Sequence, residues 1–85
     1  MIPYLVQALK IYMSAIFEYA NMHDLYVCSR QDDICSTGII DVKLLSKFSD
    51  LNGYILCLQR LGFSIQNVLS LNNGYFRIII NGCIL

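Results

Sequence analysis

Four cysteines, one histidine and a pair of adjacent aspartates are the residues of this chain with the most chemistry to offer. Cys28, Cys35, Cys57 and Cys83 stand 7, 22 and 26 residues apart. Tetrahedral zinc sites are assembled from ligand pairs a few residues apart, as C-x-x-C knuckles or clustered histidines. Neither pattern is present, and His23 is the sole histidine, so no metal and no cofactor is expected. An even count of cysteines permits two disulfides. No signal-peptide pattern opens the sequence, however, and Cys57 and Cys83 lie in apolar runs where a free thiol serves as a small hydrophobe. The expectation is reduced thiols inside a cell, in cytoplasm or nucleus.

His23 falls at the end of the first predicted helix, where the helix dipole favours a cation and capping is the plain role. Cys28 follows five residues later, and the two share a side only if the helix continues through both. Asp32-Asp33 offers two carboxylates, but without further oxygen ligands at regular spacing they read as a solvated loop. No Gly-rich phosphate loop, no Glu/Asp pair at helical spacing and no nucleophile elbow appears. These absences point away from an enzyme.

Lys43, Lys47, Asn52, Gln59, Arg60 and Arg77 remain as candidates for nucleic-acid contact, since Lys and Arg pair with phosphates and Asn, Gln and Arg can read base edges. Six basic and six acidic residues give zero formal charge, which argues against strong sequence-independent binding to a phosphate backbone. The charges are unevenly spread. Lys10 and Arg30 against Glu18, Asp24, Asp32, Asp33 and Asp41 leave residues 1–42 at −3, whereas Lys43, Lys47, Arg60 and Arg77 against Asp50 leave residues 43–85 at +3. Any face that meets an anion belongs to the second half.

Eighty-five residues make one small domain, 1–85, with no room for a linker. The composition is 56% hydrophobic and 14% charged with a mean hydropathy of +0.55, more apolar than an ordinary soluble domain. So small an interior cannot take every apolar side chain, and the surplus is expected at a contact with another molecule.

The first element is a long helix over residues 3–21, with Pro3 in the first turn. Gln7, Lys10, Ser14, Glu18 and Asn21 recur at spacings of 3, 4, 4 and 3 and form one narrow polar stripe. The rest of the helix is apolar, wider than the face a surface helix ordinarily buries. A membrane span is disfavoured, because Lys10 and Glu18 would stand mid-span without partners. The surplus face instead suggests either a central helix wrapped on several sides by the rest of the domain, or one whose second flank meets a protein partner or a homodimer, with Val6, Leu9, Met13 and Phe17 as the contact residues.

Residues 24–28 (DLYVC) either extend this helix or form an edge strand. Residues 29–38 read as a polar loop. Ile39-Ile40 form a minimal strand, and Asp41 is placed to cap a helix over residues 42–48 with Leu44, Leu45 and Phe48 inward. Ser49 or Asp50 caps a second helix over residues 51–61, ended by Gly62. Asn52-Gly53 weakens that helix, and YILCL at 54–58 would also pass as a strand. Residues 63–80 form a β-hairpin about Asn72-Asn73-Gly74, residue types that tolerate positive φ.

Helix, short strand, helix, tight turn, helix ending in glycine and β-hairpin: this order resembles the winged-helix variant of the helix-turn-helix. Gly38-Ile39-Ile40, residues 42–48, Ser49-Asp50, residues 51–61 with Gly62, and the 63–80 hairpin carry the likeness. It implies an α+β winged-helix-like domain with a long N-terminal helix, a helix-turn-helix and a C-terminal hairpin as the wing. In DNA-binding members the second helix enters the major groove and the wing touches the backbone. The outward positions here would be Asn52, Gly53, Leu56, Gln59 and Arg60. Arg77 is the single charge on the hairpin, whereas a wing that grips phosphate normally carries more. The reading is therefore a non-catalytic interaction module that self-associates or joins a larger protein complex, with nucleic-acid contact as an open possibility. The alternative is a dimeric DNA-binding transcriptional regulator.

Overall fold

A computed structural model describes residues 11–83. They form α1 (Met13–Met22), β1 (Leu25–Val27), α2 (Gln31–Thr37), β2 (Ile39–Leu44), α3 (Leu51–Arg60), β3 (Phe63–Asn72) and β4 (Tyr75–Cys83). The expected start of the first helix, with Val6, Leu9 and Lys10, lies outside the described residues. Over the described residues the architecture is α+β, with three helices and a four-stranded antiparallel sheet in the order β1-β2-β4-β3.

Strand alternation divides the sheet into two faces. Leu25 and Val27 of β1, Ile40 and Val42 of β2, and Ile78 and Ile80 of β4 are all buried. Together with Met13, Ile16 and Ala20 of α1 and Tyr54 and Leu58 of α3, they form one core. The buried positions of α1 and α3 keep the spacing of three and four that puts them on one side of each helix. The intervening strand positions, among them Tyr26, Asp41, Lys43, Tyr75 and Arg77, project to the opposite face.

Two elements differ from the sequence expectation, and one that the sequence leaves open is decided. Residues 29–38 are not a loop: Gln31–Thr37 is a helix. Asp32 and Asp33 sit in its first turn, where the dipole favours anions, and Gly38 ends it in the left-handed region at φ 71°. Its two inward residues, Ile34 and Cys35, are buried, which was too short an apolar signal for periodicity to register. Residues 24–28, left open between helix and strand, contain strand β1.

The largest correction concerns residues 42–48. No helix forms there. Ile39–Leu44 is a strand paired on both sides, Val42 opposite Val27 on β1 and opposite Phe76 on β4. Ile40 and Val42 are fully buried, so a β-branched alternation decides the segment in favour of a strand. Residues 45–50 are a turn in which Ser49 Oγ accepts the amides of Leu45 and Ser46, at 2.9 and 3.0 Å. Asp41 is consequently not a helix cap, and the expected helix-turn-helix over 42–61 is a strand, a turn and a helix.

The cap and turn expected for the last third of the chain are present. Asp50 caps α3, its Oδ1 accepting the Gly53 amide at 2.9 Å. Gly62 has φ 103°, and the hairpin turns at Asn73 and Gly74 with φ 54° and 82°. Helix α3 survives Asn52-Gly53 because it is tied to α1: the Tyr54 hydroxyl donates to the Ile16 carbonyl at 2.9 Å, and the Asp50 amide donates to the His23 carbonyl at 2.9 Å.

Candidate interaction surface

The outer sheet face is built by register. Tyr26 pairs with Lys43 and Lys43 with Tyr75, so one row crosses three strands. The next row runs from Asp41 to Arg77 to Leu69, and the third from Ile39 to Ile79 to Asn67. Among the described residues, helices α1 and α3 pack on the other face, and Tyr26, Lys43 and Tyr75 of this one are exposed. Tyr26 is 60% exposed, and Lys43 Nζ stands 5.4 Å from the centroid of the Tyr75 ring.

The turn after β2 extends the surface beyond the sheet. Phe48 is 77% and Leu45 54% exposed, and Lys47 Nζ lies 5.2 Å from the Phe48 centroid. Each lysine thus rests on an aromatic face, a contact that orients the side chain and leaves its other hydrogens free to reach an anion.

Arg77 behaves differently. Its Nε and Nη2 donate to the two carboxylate oxygens of Asp41 at 2.8 and 3.0 Å. This bond raises the guanidinium pKa and matches one charge with another. Arg77 therefore adds structure to the face and little net charge. Its partner Asp41 also acts on Cys28: burial first, and then the Asp41 carboxylate, push that thiol pKa up.

The six nucleic-acid candidates fall on two sides of the molecule. Lys43, Lys47 and Arg77 belong to the outer sheet face and its adjoining turn. Asn52, Gln59 and Arg60 are exposed on α3, away from the core-facing Tyr54 and Leu58, and so lie beyond the helical layer. Of the expected protein-contact residues, Met13 is 6% exposed within the chain's own core, and Phe17 is partly buried against it. Val6 and Leu9 lie outside the described residues. Phe17, Glu18, Asn21 and Tyr26 line part of a cleft of about 370 Å³ between α1 and β1.

Sequence reasoning missed Tyr26 and Phe48 as surface residues. Tyr26 needed β1 to be a strand, and Phe48 was assigned inward on a helix that does not form. Among the described residues no group of three or more His, Cys, Asp or Glu could hold a metal ion, and Cys28, Cys35 and Cys57 are free thiols. None of the described helices is long and apolar enough to cross a membrane. Comparison with known proteins finds no family model, no curated protein and no solved structure that matches this chain.

Proposed function

We propose that this chain is a non-catalytic, winged-helix-like interaction module of the cell interior that joins a larger assembly, meeting a nucleic-acid strand on its outer sheet face. The winged-helix-like reading draws support from helix α3 running directly into a hairpin whose second strand pairs with the earlier strand β2, although the first helix of the expected helix-turn-helix is replaced by strand β2. The observation that carries the reading is the row Tyr26, Lys43 and Tyr75, with Lys47 and Phe48 beside it. Aromatic rings offer stacking platforms to unpaired bases, and lysines held against them offer charge to the phosphates.

A titration of fluorescent single-stranded oligonucleotide tests it. With Lys43 and Lys47 as the two phosphate contacts, log Kd should rise with log salt at a slope of about 1.4, or roughly sevenfold between about 50 and 200 mM. Tyr75→Ala should weaken binding by about 5- to 150-fold, the range for one stacked base. No binding near micromolar protein at low salt refutes the nucleic-acid contact.

A second reading, docking onto a protein or a second copy, draws on Leu45 and Phe48, two large apolar side chains more than half exposed on one turn. Light scattering that gives a monomer at tens of micromolar excludes self-association. Preferential binding of duplex DNA, abolished by Gln59→Ala and Arg60→Ala on α3, would instead favour the dimeric DNA-binding regulator.

A further inference from the structure

Where α1 ends against α3, a histidine and a cysteine meet that lie 34 positions apart in the chain. His23 Nδ1 is 2.7 Å from the Tyr19 carbonyl oxygen. A carbonyl oxygen can only accept, so Nδ1 carries the proton, and in the neutral ring Nε2 is left with a lone pair. That lone pair faces Cys57 Sγ at 4.0 Å. A thiol, an imidazole base, and a third group that fixes the base's tautomer and orientation are the parts of an activated nucleophile.

Packing holds the ring in this pose. A Cβ at Gly53 would fall 2.8 Å from His23 Cδ2, so the glycine opens the space that the imidazole occupies. The Tyr54 ring stands on another side, 6.4 Å between centroids. The Asp50 carboxylate lies against the same Gly53 position. Cys57 is partly exposed, whereas Cys35 is buried, and the exposed Cys28 donates to the Tyr26 carbonyl and has the Asp41 carboxylate near it.

We propose that Cys57 is a reactive thiol, with His23 as its proton acceptor, and a site of covalent modification by low-molecular-weight disulfides. The Cys57 proton passes to His23 Nε2, and the thiolate attacks one sulfur of the disulfide. A new S–S bond forms, the old one breaks, and the departing thiolate takes the proton back from His23. The net change is one thiol–disulfide exchange per chain, with no turnover. Because Cys57 faces the α1–α3 junction, the added group would press His23 from its place.

The test uses the full chain and 2-hydroxyethyl disulfide, with rates read for each cysteine by peptide mass. Native Cys57 should exchange faster at pH 7 than the same cysteine in the unfolded chain, and faster than Cys28, whose thiol Asp41 holds back; His23→Asn should slow Cys57 about tenfold while leaving Cys28 unchanged. The gain cannot exceed roughly 30-fold, because an ordinary thiol in water is already about 3% thiolate at pH 7. Unfolding the native protein in guanidinium chloride should bring Cys57 down towards Cys28, a comparison that needs no variant to fold. Cys57 exchanging no faster than Cys28 in the native protein, or speeding up on unfolding, would overturn the proposal.

Discussion

Gly53→Ala should destabilise this protein, although the same change in an ordinary helix interior stabilises by about 1 kcal/mol. Gly53 lies in the first turn of α3, where an added Cβ meets the Asp50 carboxylate and comes within 2.8 Å of His23 Cδ2. Asp50 can withdraw only by giving up its bond to the Gly53 amide, and loss of an N-cap costs about 1 kcal/mol. His23 can withdraw only by weakening the bond from Nδ1–H to the Tyr19 carbonyl, worth roughly 1 kcal/mol. The two losses together outweigh the helix gain by about 1 kcal/mol, which corresponds to a Tm lower by roughly 4–8 °C for a domain of this size. Urea denaturation followed by circular dichroism gives the change in midpoint, with an unchanged m-value as the check that the comparison is sound. A double-mutant cycle locates the cause: in an Asp50→Ala background the cap is already gone, and Gly53→Ala should cost less than in the native protein. If Gly53→Ala raises the midpoint, the close packing of Asp50 and His23 around this glycine is wrong.

Other outcomes follow from the same contacts. Burial raises the Tyr54 phenol pKa well above its usual value near 10. The folded state therefore holds a proton that the unfolded state releases, and the stabilisation is complete below about pH 10 and falls by up to ~1.4 kcal/mol per pH unit above it. Denaturation midpoints between pH 8 and 11 should show this component in the native protein and not in Tyr54→Phe; equal slopes would refute it. Ile40→Ala should cost about 2–5 kcal/mol in chemical denaturation, because Ile40 is fully buried on a central strand. Phe48→Ser should change stability by less than about 0.5 kcal/mol, since the ring is 77% exposed, and should weaken any ligand that stacks on it.

Several parts of this fold could be read from the sequence because they depend on local chemistry. Asn73 and Gly74 turn the hairpin because their side chains tolerate positive φ, Gly62 follows α3 for the same reason, and Asp50 caps α3 with its own carboxylate. The segment 42–48 could not be read that way. Val42, Leu44, Leu45 and Phe48 satisfy a helical spacing and the shorter run Ile40, Val42, Leu44 satisfies a strand spacing, so periodicity alone leaves both open. Pairing with β1 and β4 chooses the strand. The same choice turns Lys43 and Tyr75 to one side, and it removes the cap expected at Asp41.

By itself, the sequence determined the hairpin, the cap and the glycine stop that bound residues 51–61, the lack of a motif for catalysis and the even charge balance. Each depends on residue type and on neighbours a few positions away. Tertiary structure alone decided that residues 39–44 are a central strand, that Tyr26, Lys43 and Tyr75 share a row, that Arg77 is matched by Asp41, and that His23 faces Cys57. These pairs lie 17 to 49 positions apart in the chain. Local propensity carries no information over such separations, and only the burial of one face of the sheet fixes what the other face brings together.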